Sequence, residues 1–168
     1  MASLEAGSRL DNITKSVNAF VRTHVSVELG YTVYYMGQDR TGTLPRRWVE
    51  VDLLPGDGVG DLMTAPGNSI STWTQCILNI NVFEHQETGT GAPNLYVLIG
   101  MVENVRHKFL ITTAIPVYDY GAVGTPWAGA LMIWGRPDVN EIPVVPDSGI
   151  QQINISVPLR YHEVINLS

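Results

Sequence analysis

Between Ser8 and Glu28 the apolar residues Leu10, Ile13, Val17, Phe20, Val21 and Val25 recur every three or four positions. That spacing puts them on one face of a helix, with Ser8 or Asp11 as N-cap and Gly30 as the stop. Tyr31 to Met36 is rich in β-formers and ends at Gly37, which predicts a strand followed by the polar loop GQDRTGTLPRR. Trp48 to Leu54 alternates with a period of two. It predicts a half-solvated strand with Val49, Val51 and Leu53 inward and Trp48, Glu50 and Asp52 outward. The Gly/Pro-rich run from Pro55 to Ser69 predicts an exposed loop or a long hairpin connection. The clearest strand follows, with Cys76, Leu78, Ile80 and Val82 on one face and Gln75, Asn79 and Asn81 on the other.

After EHQETGTGAP the period changes. Leu95, Leu98, Val102, Val105 and Phe109 predict a second amphipathic helix from Pro93, near its first position, to about Thr112. Gly and Pro are frequent from Pro116 to Gly149, and short strands such as Ala130 to Trp134 are expected between turns there. The segment Ile150 to Asn166 alternates again, with Ile153, Ile155, Val157, Leu159 and Tyr161 opposed to Asn154, Ser156, Pro158, Arg160 and His162. Pro158 has no N–H and predicts a sheet edge or a bulge. The order of elements predicts one α+β domain over residues 1–168: an antiparallel sheet, two main helices packed on one face, and long loops or hairpin extensions.

Composition narrows the functional classes. Charged residues are 15% of the 168, against about 25% in ordinary soluble domains, and the formal net charge is −6. Only Lys15 and Lys108 are lysines. A surface so poor in charge is expected to be covered in part by neighbouring subunits, and a chain without clustered Lys and Arg does not hold nucleic acid by neutralising phosphates. The single cysteine, Cys76, lies in an apolar alternation and reads as a small core hydrophobe in an intracellularly folded chain. No signal-peptide pattern and no run of 18 apolar residues is seen, so neither secretion nor membrane insertion is expected.

Catalytic and ligand-binding patterns are not found. His24, His85, His107 and His162 are far apart, and none has a His or Cys partner at metal-ligand spacing. The loop GDGVGD, Gly56 to Asp61, lacks both the phosphate-cradle order and the lysine of a P-loop, and its two aspartates are too few for a calcium loop. The expectation is a protein that is not an enzyme and has no cofactor and no metal. Glu50, Asp52, Asp57 and Asp61 fall within twelve residues with no compensating base. They are either a solvated face or a surface that repels a phosphate backbone passing it.

Taken in order, the N-terminal helix ending at Gly30, the strand PRRWVEVDLL at Pro45 to Leu54, ILNINVFEHQETGTG at Ile77 to Gly91, the helix after it, and the closing strand IQQINISVPLRYHEV at Ile150 to Val164 resemble the tail terminator proteins of long-tailed, lambda-like bacteriophages. The resemblance covers nearly the whole chain and rests on order and pattern, with a Pro116 to Gly149 stretch longer and richer in Trp and Pro than the family pattern. It implies a virion protein assembled in the host cytoplasm, forming a ring, hexameric in the family. Such a ring caps the tail tube, ends its polymerisation and meets the head connector, and DNA passes through its lumen without sequence-specific binding. The implied partners are copies of itself, the tail tube protein and a head–tail connector or neck protein. On this reading Glu50, Asp52, Asp57 and Asp61 are candidates for the lumen or ring contacts, and Gln75, Asn79, Asn81, Asn154 and Ser156 for neutral interfaces. Two other readings stay open: another neck or tail subunit (tail completion, head-closure or tube protein), and a small oligomeric enzyme with a site shared between subunits.

Overall fold

In a computed structural model, residues 3–38, 43–65, 68–85, 95–110, 112, 114–142 and 149–167 are described, with only the backbone described at 57–62, 64–65 and 141–142. The elements in chain order are β1 (Ser3–Leu4), a 3-10 turn (Ala6–Ser8), α1 (Leu10–Val21) continued by a π-helical turn (Arg22–Val27), β2 (Val33–Tyr35), β3 (Arg47–Ala65), β4 (Ser69–His85), α2 (Leu95–Leu110), β5 (Ala114–Tyr118), β6 (Trp127–Ile133), β7 (Asp138–Ile142) and β8 (Ile150–Asn166). Among the described residues eight strands join one sheet, in the order β2-β3-β4-β8-β6-β5, with β1 and β7 also on β8. Every pairing is antiparallel except the parallel edge β2–β3. The fold is α+β.

Both helices pack on one face. Ile13, Val17, Val21 and Val25 from the first helix and Leu98, Val102, Val105 and Phe109 from the second are buried with Val49, Leu78, Ile80, Val82, Ile155, Val157 and Leu159 of the sheet. The two stripes meet where Phe20 and Phe109 lie 5.6 Å apart in a tilted arrangement, and Lys108 Nζ closes the rim on Glu28 Oε2 at 2.9 Å. Leu10 and Leu95, expected in these stripes, are exposed at the first turn of each helix. Pro93 lies outside the described residues.

The helix start differs from expectation. Arg9, in extended backbone, precedes α1 without a side-chain cap, and Asp11 lies inside the first turn. Ser8 is drawn away to the closing strand, where its Oγ accepts the Val164 N–H at 2.8 Å. The helix end is as expected: Gly30 has φ +72°, a region that a residue with a Cβ rarely enters.

Three expectations about the sheet are corrected. The Gly/Pro-rich run after Leu54 is strand rather than loop, because β3 pairs with β4 as far as Ala65↔Ser69 and accommodates its odd residues in irregularities between Pro55 and Gly58 and between Val59 and Met63. At Gly56 a Cβ would overlap the Gln75 carbonyl oxygen, so the close approach requires glycine. The outward face of β3 is not half-solvated at its start, since Trp48 is buried and stacks on Phe83 with ring centres 4.8 Å apart.

The third correction concerns Pro158, which lies in the interior strand β8. One side of β8 pairs with β4 along its whole length; the other is served in series by β7 up to Ser156, β6 at Leu159 and Arg160, and β1 at its end. The Pro158 carbonyl accepts the Trp134 N–H at 3.3 Å, so the N–H that proline lacks would point to this second side, at the seam between β7 and β6. The ladder loses no bond to β4 there.

Candidate functional site

Alternation along β3, β4 and β8 sends every second side chain to the face opposite the helices, and register decides which of them meet. One row across the sheet reads Tyr34, Glu50, Asn81, Asn154 and Asn140. The next reads Asp52, Asn79, Ser156 and Asp138. Asn81 Oδ1 accepts from Asn154 Nδ2 at 2.8 Å and from Gln152 Nε2 at 2.9 Å. Ser156 Oγ lies 2.9 Å from Asn154 Oδ1 and 3.1 Å from Asn79 Oδ1, and its single proton serves one of them at a time. The result is a neutral amide and hydroxyl ladder, half-buried by its own neighbours, with carboxylates at its margins on β3 and β7.

The carboxylates are held differently. Glu50 Oε1 accepts the Trp48 indole N–H at 2.7 Å, which ties the acidic margin to the Trp48–Phe83 stack. Asp52 Oδ1 is buried with no hydrogen-bond partner. An unpaired buried acceptor costs about 1–3 kcal/mol until a water or a donor from another molecule reaches it. Below these rows the face becomes apolar: Leu54 and Ile77 are exposed, and the Pro158 ring approaches Gly135. Gln75 lies beyond this apolar row, opposite Arg160, whose guanidinium sits 4.8 Å from the Trp73 ring.

The structure therefore brings together Glu50, Asp52, Asn79, Asn81, Asn154 and Ser156 on one surface, and leaves Gln75 outside it. The acidic and neutral groups, read from sequence as separate surfaces, are adjacent rows of a single one. The side chains of Asp57 and Asp61 lie outside the described residues. Four residues of the same surface were not singled out from sequence: Tyr34, which register places opposite Glu50; Gln152, which shares the parity of Asn154 and Ser156; and Asp138 and Asn140, whose alternation with Val139 is a weak period-two signal in a short strand.

Other titratable groups are structural in their surroundings. Burial pushes the Cys76 thiol up to about 11, which leaves it protonated and unreactive at neutral pH. Burial, then the charge of Glu163, pushes the Tyr161 phenol up to about 12. His24 Nδ1 lies 2.9 Å from Glu28 Oε1 one helical turn away, and the His162 ring packs on Trp73. Among the described residues no three of His, Cys, Asp and Glu are grouped as metal ligands, and no helix is long and apolar enough to cross a membrane.

At one end of the core face, Glu84 is fully buried. Its Oε1 receives Arg47 Nε and Nη2 at 3.1 and 3.0 Å and lies 3.4 Å from Arg46 Nε. This double clamp fixes the start of β3 to the end of β4, where Arg47 and Glu84 are in register.

No family model and no curated protein matches the chain. Among solved structures, one whose protein bears a sequence label and no functional name overlays with a TM-score of 0.47 and 10% identity, over 90% of this chain and 94% of that one.

Proposed function

We propose that this chain is a virion structural subunit of the tail-terminator type. It acts by assembling into a closed ring on the end of the tail tube, stopping tube growth and presenting a surface to the head connector or neck. The carrying observation is the ladder of Asn79, Asn81, Asn154 and Ser156 with Glu50 and Asp52 beside it. The ladder is built from amides and a hydroxyl and carries no positive charge, and the carboxylates of Asp52 and Asp138 at its margins disfavour phosphate. From Trp48 to Glu84 there is no Lys, Arg or His, so this stretch releases no counterions from DNA and does not hold it. DNA then traverses the ring without being gripped. The work of the protein is assembly: its chemistry is surface complementarity, and it uses no cofactor.

Electron microscopy of the purified protein, alone and mixed with tail tubes, tests this. The expected result is one closed ring at a tube end and shorter tubes at higher protein concentration. Open-ended stacks would mark a tube subunit instead, and monomers with no effect on tube length would overturn the proposal.

A further inference from the structure

A second surface bears on how such a ring would close. Between the outer side of α1, the end of β2 and the β5–β6 turn lies an open groove of about 640 Å³, lined by Lys15, Asn18, Arg22, Val27, Tyr35 and Tyr120 among others. Most cations of the chain are engaged elsewhere: Arg9 on Asp11, Arg46 and Arg47 on Glu84, Arg106 on Glu103, Lys108 on Glu28, and Arg160 over Trp73. Lys15 has only a distant hold, 3.9 Å from Asp11 Oδ2 and 5.8 Å from the centre of the Tyr120 ring. Arg22 is exposed and makes no ion pair among the described residues. In an acidic chain, two of the least neutralised cations share one groove, beside the exposed Val27 and Tyr120.

The complementary feature is the outer part of the β3–β4 hairpin. Past Val51, where β2 stops, the outer edge of β3 has no strand partner among the described residues. Beyond the ladder rows this arm carries Asp57 and Asp61 with no base, and exposes Leu54 and Met63. Acid with apolar on the arm matches base with apolar in the groove. At the β2 side of the groove the outward Tyr35 N–H is already taken by Gln38 Oε1 at 3.2 Å, so side chains rather than this backbone donor line the contact. Arm and groove are different surfaces, so their union is heterologous and repeats head to tail until it closes.

We propose that the groove around Lys15 and Arg22 receives the acidic β3–β4 arm of a second copy of this chain, and that this contact joins neighbouring subunits. The inference rests on the ring reading above and names its interface. Two cations are too few to track a phosphate backbone, which favours a protein partner over DNA.

Mass photometry of the full chain with tail tubes tests it through charge exchange. The double variants K15E/R22E and D57R/D61R should each weaken assembly by at least about ten-fold, with circular dichroism unchanged, and the four changes together should restore it to within a few-fold. Normal rings from K15E/R22E, or no recovery in the quadruple variant, would overturn the interface while leaving the ring reading intact. Wild-type protein that never assembles would overturn both. Duplex DNA retained by the wild type and released by K15E/R22E would assign the groove to phosphate and also overturn the proposal.

Discussion

The two faces of one sheet are built from the same strands yet obey different rules. On the helix side, Leu78, Ile80, Ile155 and Val157 have no exposure and are held by packing alone. On the opposite side, Asn79, Asn81, Asn154 and Ser156 occupy the intervening positions and are held by directed hydrogen bonds. Packing is additive in area and tolerant of partner identity, whereas the ladder depends on register. The apolar face therefore supplies most of the stability. The polar face supplies a surface of defined chemistry at small cost to that stability.

Neighbouring residues on β4 give the sharpest break between the faces. Leu78→Ala should cost about 2–5 kcal/mol in urea unfolding, because it opens a cavity in the core. Ile77→Ala, one residue away and 45% exposed, should stay within about 1 kcal/mol. Equal losses would dissolve the distinction. Next in size is the Glu84 clamp. Removing both arginines leaves a buried carboxylate unpaired and should cost about 3 kcal/mol, while Glu84→Gln should cost less, since both arginines are part-exposed and can turn to water. The reverse order in thermal melts would mean that the carboxylate is not the buried member that matters.

Within the ladder, Asn81→Ala removes the acceptor of two hydrogen bonds and should cost about 1 kcal/mol, and Asn79→Ala less. A loss as large as that of Leu78→Ala would show that the polar face is part of the core. The smallest effect is on the helix rim. The Lys108 hydrogen bond, with His24 assisting, holds the Glu28 carboxyl below its ordinary value of 4.5. A depressed carboxyl contributes stability that is present above 4.5 and lost as the pH falls through its folded value. The difference between Lys108→Ala and wild type should therefore be seen at neutral pH and fade under acid; a difference that grows in acid would contradict the pairing.

The legible parts of the fold were those where one signal dominates. The alternation of β4 and β8 and the stripes of the two helices each follow from a single period sustained over many residues. The arm of β3 was not legible, because PGDGVGD carries the composition of a loop and becomes strand only through the β4 backbone beside it. Asn12 shows a different failure. It is fully buried, donates to the Ala6 carbonyl and Asp119 Oδ1, and accepts the Tyr120 N–H, so it fastens α1 to the β5–β6 turn. Local sequence marks it only as a polar residue near a helix start. At the candidate site, parity placed Asn81 and Asn154 on polar faces, but their meeting depends on register across 73 positions, which no local pattern encodes.

The position of β8 has a consequence for biogenesis. This strand pairs with β1, β4, β6 and β7 and follows all of them in the chain. While the polypeptide leaves the ribosome, the inner edge of β4, with its row of unpaired amides and carbonyls, waits for a partner that has not been made. Such contacts between sequence-distant segments form slowly, and an open edge recruits other chains in the meantime. Yield during synthesis should thus be limited by how soon the last strand arrives, and low temperature or slow expression should raise it without altering the stability of the finished molecule.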